Sequence, residues 1–198
     1  LIEPYACSKH CVDRANISNE DFVVLSGAGP LGLGMVGLIR KRNPATFVVL
    51  DLNDHRLELA KKFGADIVMN PKEENVVAKI LEMTDGYGCD VYIEATGHPS
   101  SVNQGLEMIR KLGRFVEFSV FKDLVTADWS IISDRKELDL LGSHLSPWCF
   151  EPVIKWIYDG SLPTEGVVTH KFALDDWKKA FETAATAADN AIKVALIP

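Results

Sequence analysis

The sequence predicts an α/β chain built on a doubly wound parallel sheet, and three observations carry that expectation. Short apolar runs alternate with amphipathic runs from about residue 22 to residue 142, the order that produces strand–helix–strand units and a parallel sheet. The apolar runs are near-continuous, as in Val23-Val24-Leu25 and Phe47-Val48-Val49-Leu50, which marks strands covered on both faces. The first of them breaks into Gly27-Ala28-Gly29-Pro30-Leu31-Gly32 and then enters an apolar helical run, Leu33 to Ile39.

Each glycine in that turn has its own reason to lack a side chain. Gly27 suits a tight strand-to-helix turn, Gly29 lets backbone approach a pyrophosphate, and Gly32 lets the helix pack against the strand. Pro30 fits the first helical turn, where its missing N–H costs nothing. The helix start aims unpaired N–H groups and a positive dipole end at one spot, which suits a phosphate bridge. The second apolar run ends in Asp51, 19 positions after Gly32, where such a unit places the acid that accepts hydrogen bonds from an adenosine ribose.

The other elements follow in order. A helix is expected from Tyr5 to about Ile17, leading to the strand at Phe22. Asn53 caps a helix carrying Leu57, Ala60 and Phe63, ended by Gly64. A short strand, Asp66 to Met69, precedes a helix with Val76, Val77, Ile80, Leu81 and Thr84 on one stripe. Asp85-Gly86-Tyr87-Gly88 turns into a fourth strand, Asp90 to Ala95. A helix with Val102, Leu106, Ile109 and Leu112 follows, and Gly113 begins a fifth strand through Phe118. The sixth strand is Glu137 to Gly142. Pro147 to Asp159 reads as a helix broken by Gly160-Ser161-Leu162-Pro163. Beyond it, Val167 to His170 is strand-like, Asp175 caps a helix with Trp177, Phe181 and Ala184, and Ile192 to Ile197 closes as a strand. Any ligand crevice belongs at the carboxyl ends of the strands, where their order reverses.

The 198 residues carry a net charge of −7 and a pI near 5.2, with no basic run. This argues against a nucleic-acid or anionic-membrane surface, both of which need clustered lysine and arginine. No apolar stretch approaches the ~20 residues of a membrane span and no signal peptide is visible, so a cytoplasmic protein is the expectation. Cys7, Cys11, Cys89 and Cys149 are few and scattered, as reduced thiols are. Cys7 and Cys11 with His10 make a poor zinc site and read as buried small residues. Trp129, Trp148, Trp156 and Trp177 read as core or interface anchors.

Several motifs together resemble the zinc-type medium-chain alcohol dehydrogenases, and within them the polyol (sorbitol, xylitol and erythritol-like) and threonine dehydrogenases. They are Leu1-Ile2-Glu3-Pro4 with His10 and Arg14-Ala15, the glycine turn, Arg56-Leu57-Glu58-Leu59-Ala60 with Phe63-Gly64-Ala65-Asp66, Glu94-Ala95-Thr96-Gly97, Gly113-Arg114-Phe115-Val116 and Val168-Thr169-His170-Lys171-Phe172. The resemblance covers nearly the whole chain. It implies a Rossmann-type NAD-binding domain over 1–161, including the lead-in helix, and a tail over 162–198 that returns to a catalytic domain expected upstream of Leu1.

By the same resemblance, Asp51 and Arg56 hold the adenosine ribose, and the Gly27, Gly29 and Gly32 turn with Pro30 and Leu31 holds the pyrophosphate. Thr96 and Gly97 flank the cofactor, and Phe118, Val120 and Ser143 to Leu145 border the nicotinamide. Glu3 is implied as the carboxylate near a catalytic zinc in the full-length enzyme, most of whose ligands lie outside this chain. The chain departs from commoner members at Phe118-Ser119-Val120, where glycines are frequent, and at His144-Leu145, where a basic side chain often meets the phosphates. Thr96 could equally be a cap for the helix at Pro99.

The implied activity is oxidation of a secondary alcohol of a four- to six-carbon polyol to a ketose by hydride transfer to NAD, with threonine-like 2-hydroxy amines next, in a homo-oligomer. Rival readings are a zinc-free quinone or enoyl reductase domain, which Glu3 opposes, and a non-catalytic NAD-sensing module. Methyl transfer from S-adenosylmethionine uses a similar turn but does not need Gly32 packed so closely.

Overall fold

The computed structural model describes residues 1–198. Helix α1 (Ile2–Ala15) leads into β1 (Phe22–Ser26), α2 (Pro30–Arg42), β2 (Thr46–Leu50), α3 (Asp54–Phe63) and β3 (Ile67–Met69). Then come α4 (Val76–Met83), β4 (Cys89–Glu94), α5 (Pro99–Met108), β5 (Ile109–Glu117), β6 (Asp139–Gly142) and α6 (Phe150–Tyr158). The chain closes with β7 (Val168–Ala173), α7 (Trp177–Thr186) and β8 (Lys193–Ile197).

Six strands form one parallel sheet in the order β3-β2-β1-β4-β5-β6. The order reverses between β1 and β4, so a crevice opens at their carboxyl ends. Helices cover both faces, because successive side chains of a strand point to opposite sides. Val23 and Leu25 enter one core with Tyr5, Leu33, Val36 and Ile39, whereas Val24 enters the other with Val48, Ile80, Tyr92 and Phe115. The second, two-stranded sheet pairs β7 with β8. The segment leading to it is anchored on the first core by Leu162 and Val167, and the Tyr5 hydroxyl donates to the Pro163 carbonyl at 3.1 Å.

Local chemistry accounts for the boundaries. Asn53 accepts from the Arg56 N–H and caps α3. Gly64 ends that helix at φ 116, a left-handed conformation that glycine adopts without strain. All four cysteines are free and buried, as small apolar groups are. No helix is long and apolar enough to cross a membrane.

Three expectations are corrected. The helix expected to run through Ile109 and Leu112 stops at Met108, because the Lys136 ammonium donates to the carbonyls of Leu106, Glu107 and Ile109 at 2.6 to 2.8 Å. A cation at a helix C-terminus satisfies the orphan carbonyls and suits the dipole. Asp175 does not cap α7: residues Leu174–Asp176 form a 3-10 turn, with no side-chain cap on the helix. The helix buries Ala180 and Thr183, leaving Trp177 and Phe181 half or more exposed. Of the four tryptophans read as core or interface anchors, only Trp156 packs against the core; the core half of the reading fails for Trp129, Trp148 and Trp177, at 70%, 94% and 50% exposure.

Candidate cofactor-binding site

The turn between β1 and α2 is built from constraints that differ glycine by glycine. Gly27 has φ 107, and a Cβ there would stand 2.6 Å from the Ala95 carbonyl oxygen; a Cβ on Gly32 would stand 1.9 Å from the Gly27 oxygen. Both positions exclude a side chain by contact with backbone. Gly29 is different, since nothing lies within 4 Å of where its Cβ would be. The space in front of it is open, as a cradle for a ligand backbone requires. Gly29 is also the N-cap of α2, with Pro30 in the first turn, so the positive end of the helix dipole faces that space.

Asp51 follows the end of β2 and is held rigidly beside the turn. Its Oδ2 accepts from the Ala28 N–H at 2.7 Å and its Oδ1 from the Asn53 N–H at 2.9 Å. The Arg56 guanidinium stands 3.9 Å from Oδ2, and its Nε is buried with no hydrogen-bond partner. An unpartnered buried donor is costly, and here it lies beside an acid at the end of a strand. Carboxylate, a guanidinium with a free Nε donor, and open glycine together fit the ribose and phosphate end of a dinucleotide.

A cleft of about 530 Å³ continues from α2 across the carboxyl ends of the sheet. It brings together Glu3, Pro30, Leu31, Thr96, Gly97, Phe118, Val120, Ser143 and Leu145 from segments that are distant in sequence. Gly27, Gly29, Gly32, Asp51 and Arg56 are not among its walls; Asp51, after β2, and Arg56, in α3, stand beside the glycine turn. The cleft also takes in Cys7, Ser119, His144 and Lys193. Lys193 starts β8, in the tail, and its place in the cleft was invisible in the sequence because only the packing of the tail supplies it. A larger groove of about 680 Å³ is lined by α3 and the 160–166 segment instead of by strand ends.

The loop after β4 is organised by Glu94, fully buried. Its carboxylate accepts from the Thr96 N–H at 2.9 Å and from the Thr96 hydroxyl, and also from the Gly97 N–H. Thr96 accepts in turn from the His98 N–H at 3.0 Å, while the cap of α5 is His98. In the next loop the Glu117 carboxyl accepts from the Ser119 N–H at 2.7 Å. Burial, and then the charge of Glu94, push Glu117 up to about 7.

Glu3 lies at the edge of the cleft and accepts from the Cys7 thiol at 3.1 Å. Burial first, and Glu3 next, push that thiol up to about 11. The chain contains no group of three or more His, Cys, Asp or Glu placed to share a metal ion. These residues therefore do not build a zinc site by themselves.

Comparison with known proteins agrees with this geometry. The chain is 48% identical over 196 residues to an erythritol/L-threitol dehydrogenase of Mycolicibacterium smegmatis, matching 99% of this chain and 54% of that protein. Among solved structures, a short chain alcohol dehydrogenase of Escherichia coli CFT073 complexed with NADH superposes with a TM-score of 0.88 at 27% identity, over 98% of this chain and 57% of that one. A Sinorhizobium meliloti 1021 protein bound to NADP superposes with a TM-score of 0.90 at 27% identity, over 100% of this chain and 58% of that one. The chain thus spans about half the length of the proteins it matches. The sequence model described as zinc-binding dehydrogenase matches residues 30–159, and with a sheet, glycine turn and cleft of this form the chain belongs to the zinc-binding dehydrogenase family.

Proposed function

We propose that this chain is the NAD-binding domain, residues 1–161, with the returning tail, residues 162–198, of a longer oxidoreductase that oxidises a secondary alcohol of a small polyol to a ketose. The observation that carries the reading is the run of the glycine turn: Asp51 holds the Ala28 amide, the space in front of Gly29 is open, and Pro30 and Leu31, next in the chain, line the cleft. Bound there, NAD supplies the hydride acceptor. The chain's residues position it: Asp51 accepts from ribose hydroxyls, the amides at the start of α2 and the Lys193 ammonium face the pyrophosphate, and Thr96, Gly97, Phe118, Val120, Ser143 and Leu145 confine the nicotinamide. Fixing the cofactor in this way replaces a bimolecular search by a held geometry. No step is assigned to zinc, since this chain supplies only Glu3 toward it. Identity to the erythritol/L-threitol dehydrogenase favours a four-carbon polyol.

The full-length protein should reduce NAD with erythritol or L-threitol, and more slowly with sorbitol or threonine, followed by absorbance of the reduced nicotinamide. Absence of NAD binding by calorimetry would overturn the cofactor assignment. Oxidation of threonine in preference to every polyol would move the substrate assignment to amino alcohols. In the same protein, Glu3→Ala is expected to lower kcat at least tenfold while leaving the NAD dissociation constant within about threefold, because Glu3 sits at the cleft edge away from Asp51; the reverse pattern would remove Glu3 from the reacting end.

A further inference from the structure

Glu94 and Glu117 occupy paired positions at the carboxyl ends of neighbouring strands, β4 and β5. Each grips the loop that leaves its own strand: Glu94 holds the Thr96 and Gly97 amides, and Glu117 holds that of Ser119. The two loops touch, for the Ser119 hydroxyl donates to the Glu94 carbonyl at 3.4 Å and a Cβ on Gly97 would stand 2.9 Å from the Val120 carbonyl oxygen. Both loops wall the cleft. No lysine, arginine or histidine pairs with either acid.

We infer that Glu117, set against Glu94, is a positioning residue for the nicotinamide side of the cleft, and that its proton determines whether the two wall loops stay closed on the cofactor. The inference rests on the proposed reading of this cleft as the cofactor site. With Glu117 protonated, the pair carries at most one charge and the loops can sit together. With Glu117 ionised, two like charges face each other at adjacent strand ends in a partly buried setting, where their repulsion is poorly screened. The loop held through Ser119 then moves away from the loop held through Thr96 and Gly97.

The other groups around the pair do not take over this role. Tyr92 on β4 and Cys11 on α1 are held neutral by burial. Arg14 on α1 is engaged with the Gly142 carbonyl at 3.1 Å. At the start of α5 the ring of His98 is engaged with the Ser100 hydroxyl at 2.8 Å, and Glu107 lies near the other end of that helix. Glu117 titrates near neutral pH through burial and Glu94, so the loops would respond within the physiological range.

The test is carried out on the full-length protein. Its NAD dissociation constant should rise about three- to tenfold as pH increases from 6 to 8.5, with the midpoint near 7. Glu117→Gln, which keeps an acceptor for Ser119 but cannot ionise, should hold the low-pH affinity throughout. Glu94→Gln should abolish the step, because an ionised Glu117 then faces no second charge. A second readout needs no cofactor: the hydrogen-exchange protection of the Gly97 and Ser119 amides should fall across the same range in wild type and stay level in Glu117→Gln. A flat affinity and flat protection in wild type, or a step that survives in Glu117→Gln, would overturn the inference. If NAD fails to bind at every pH while the amide step is present, the pair stands and the cofactor reading falls.

Discussion

Gly32→Ala is expected to destabilise the protein by about 3 kcal/mol or more, whereas Gly29→Val is expected to leave stability within about 1 kcal/mol and to weaken NAD binding at least a hundredfold. The contrast follows from what a side chain would meet. At Gly32 the new carbon would stand 1.9 Å from the Gly27 carbonyl oxygen, so either β1 or the first turn of α2 must shift, and both are embedded in the main core. For a domain of this size, that loss lowers the melting temperature by on the order of 10 °C. At Gly29 the backbone has φ −66 and ψ −175, an extended conformation that valine adopts without strain, and the space ahead is empty. A branched side chain there keeps the pyrophosphate from the helix amides. Losing two hydrogen bonds to a charged group, at about 1.5 kcal/mol or more each, amounts to a factor of about a hundred. Thermal melts and calorimetric titration of both variants check the pair. A folded Gly29→Val that binds NAD normally would show that the pyrophosphate does not cross this turn.

The main sheet was legible in the sequence because its signals are local. Continuous β-branched runs such as Val23-Val24-Leu25, the three glycines, and caps such as Asn53 depend on residues a few positions apart. What escaped depends on distant partners. The pattern of Ile109 and Leu112 continued the helical stripe, yet Lys136 closes α5 at Met108, and Leu112 ends at φ 57 with 60% exposure. In α7, the stripe of Trp177 and Phe181 suggested a buried face. The helix has only the small β7–β8 sheet beside it and turns Ala180 inward. Within the site, the glycine turn and Asp51 were readable from spacing. Resemblance was needed for Phe118, Val120 and Ser143, since loop residues carry no periodicity. Glu94 was seen only as part of a motif, and Glu117 only as one residue in a strand. Their pairing requires the register of β4 against β5, which no local pattern encodes.

A preference for NAD over NADP of about a hundredfold or more is expected in the wild-type protein, and Asp51→Ser should narrow it sharply. The Asp51 carboxylate already accepts one N–H on each oxygen, from Ala28 and Asn53. A carboxylate has about four acceptor sites, so room remains for the two ribose hydroxyls. Hydrogen bonds to a charged group contribute about 1.5 to 3 kcal/mol each. A 2′-phosphate removes one of them and forces like charges together at a cost of several kcal/mol, which exceeds the ~2.7 kcal/mol equivalent to a hundredfold. Arg56 works the other way. Its guanidinium stands 3.9 Å from Asp51 with Nε unpartnered, and once the acid is gone it can meet a phosphate with paired N–H donors. Asp51→Ser therefore gains NADP affinity as it loses NAD affinity, and Asp51→Ser/Arg56→Ala should lose both. Because Asp51 also braces the glycine turn, the substitution should cost about 1 to 3 kcal/mol of stability, so urea melts accompany the titrations. Dissociation constants for both cofactors, measured at one ionic strength, decide the matter. Equal binding of NAD and NADP by the wild type would mean that Asp51 braces the turn without touching the ribose.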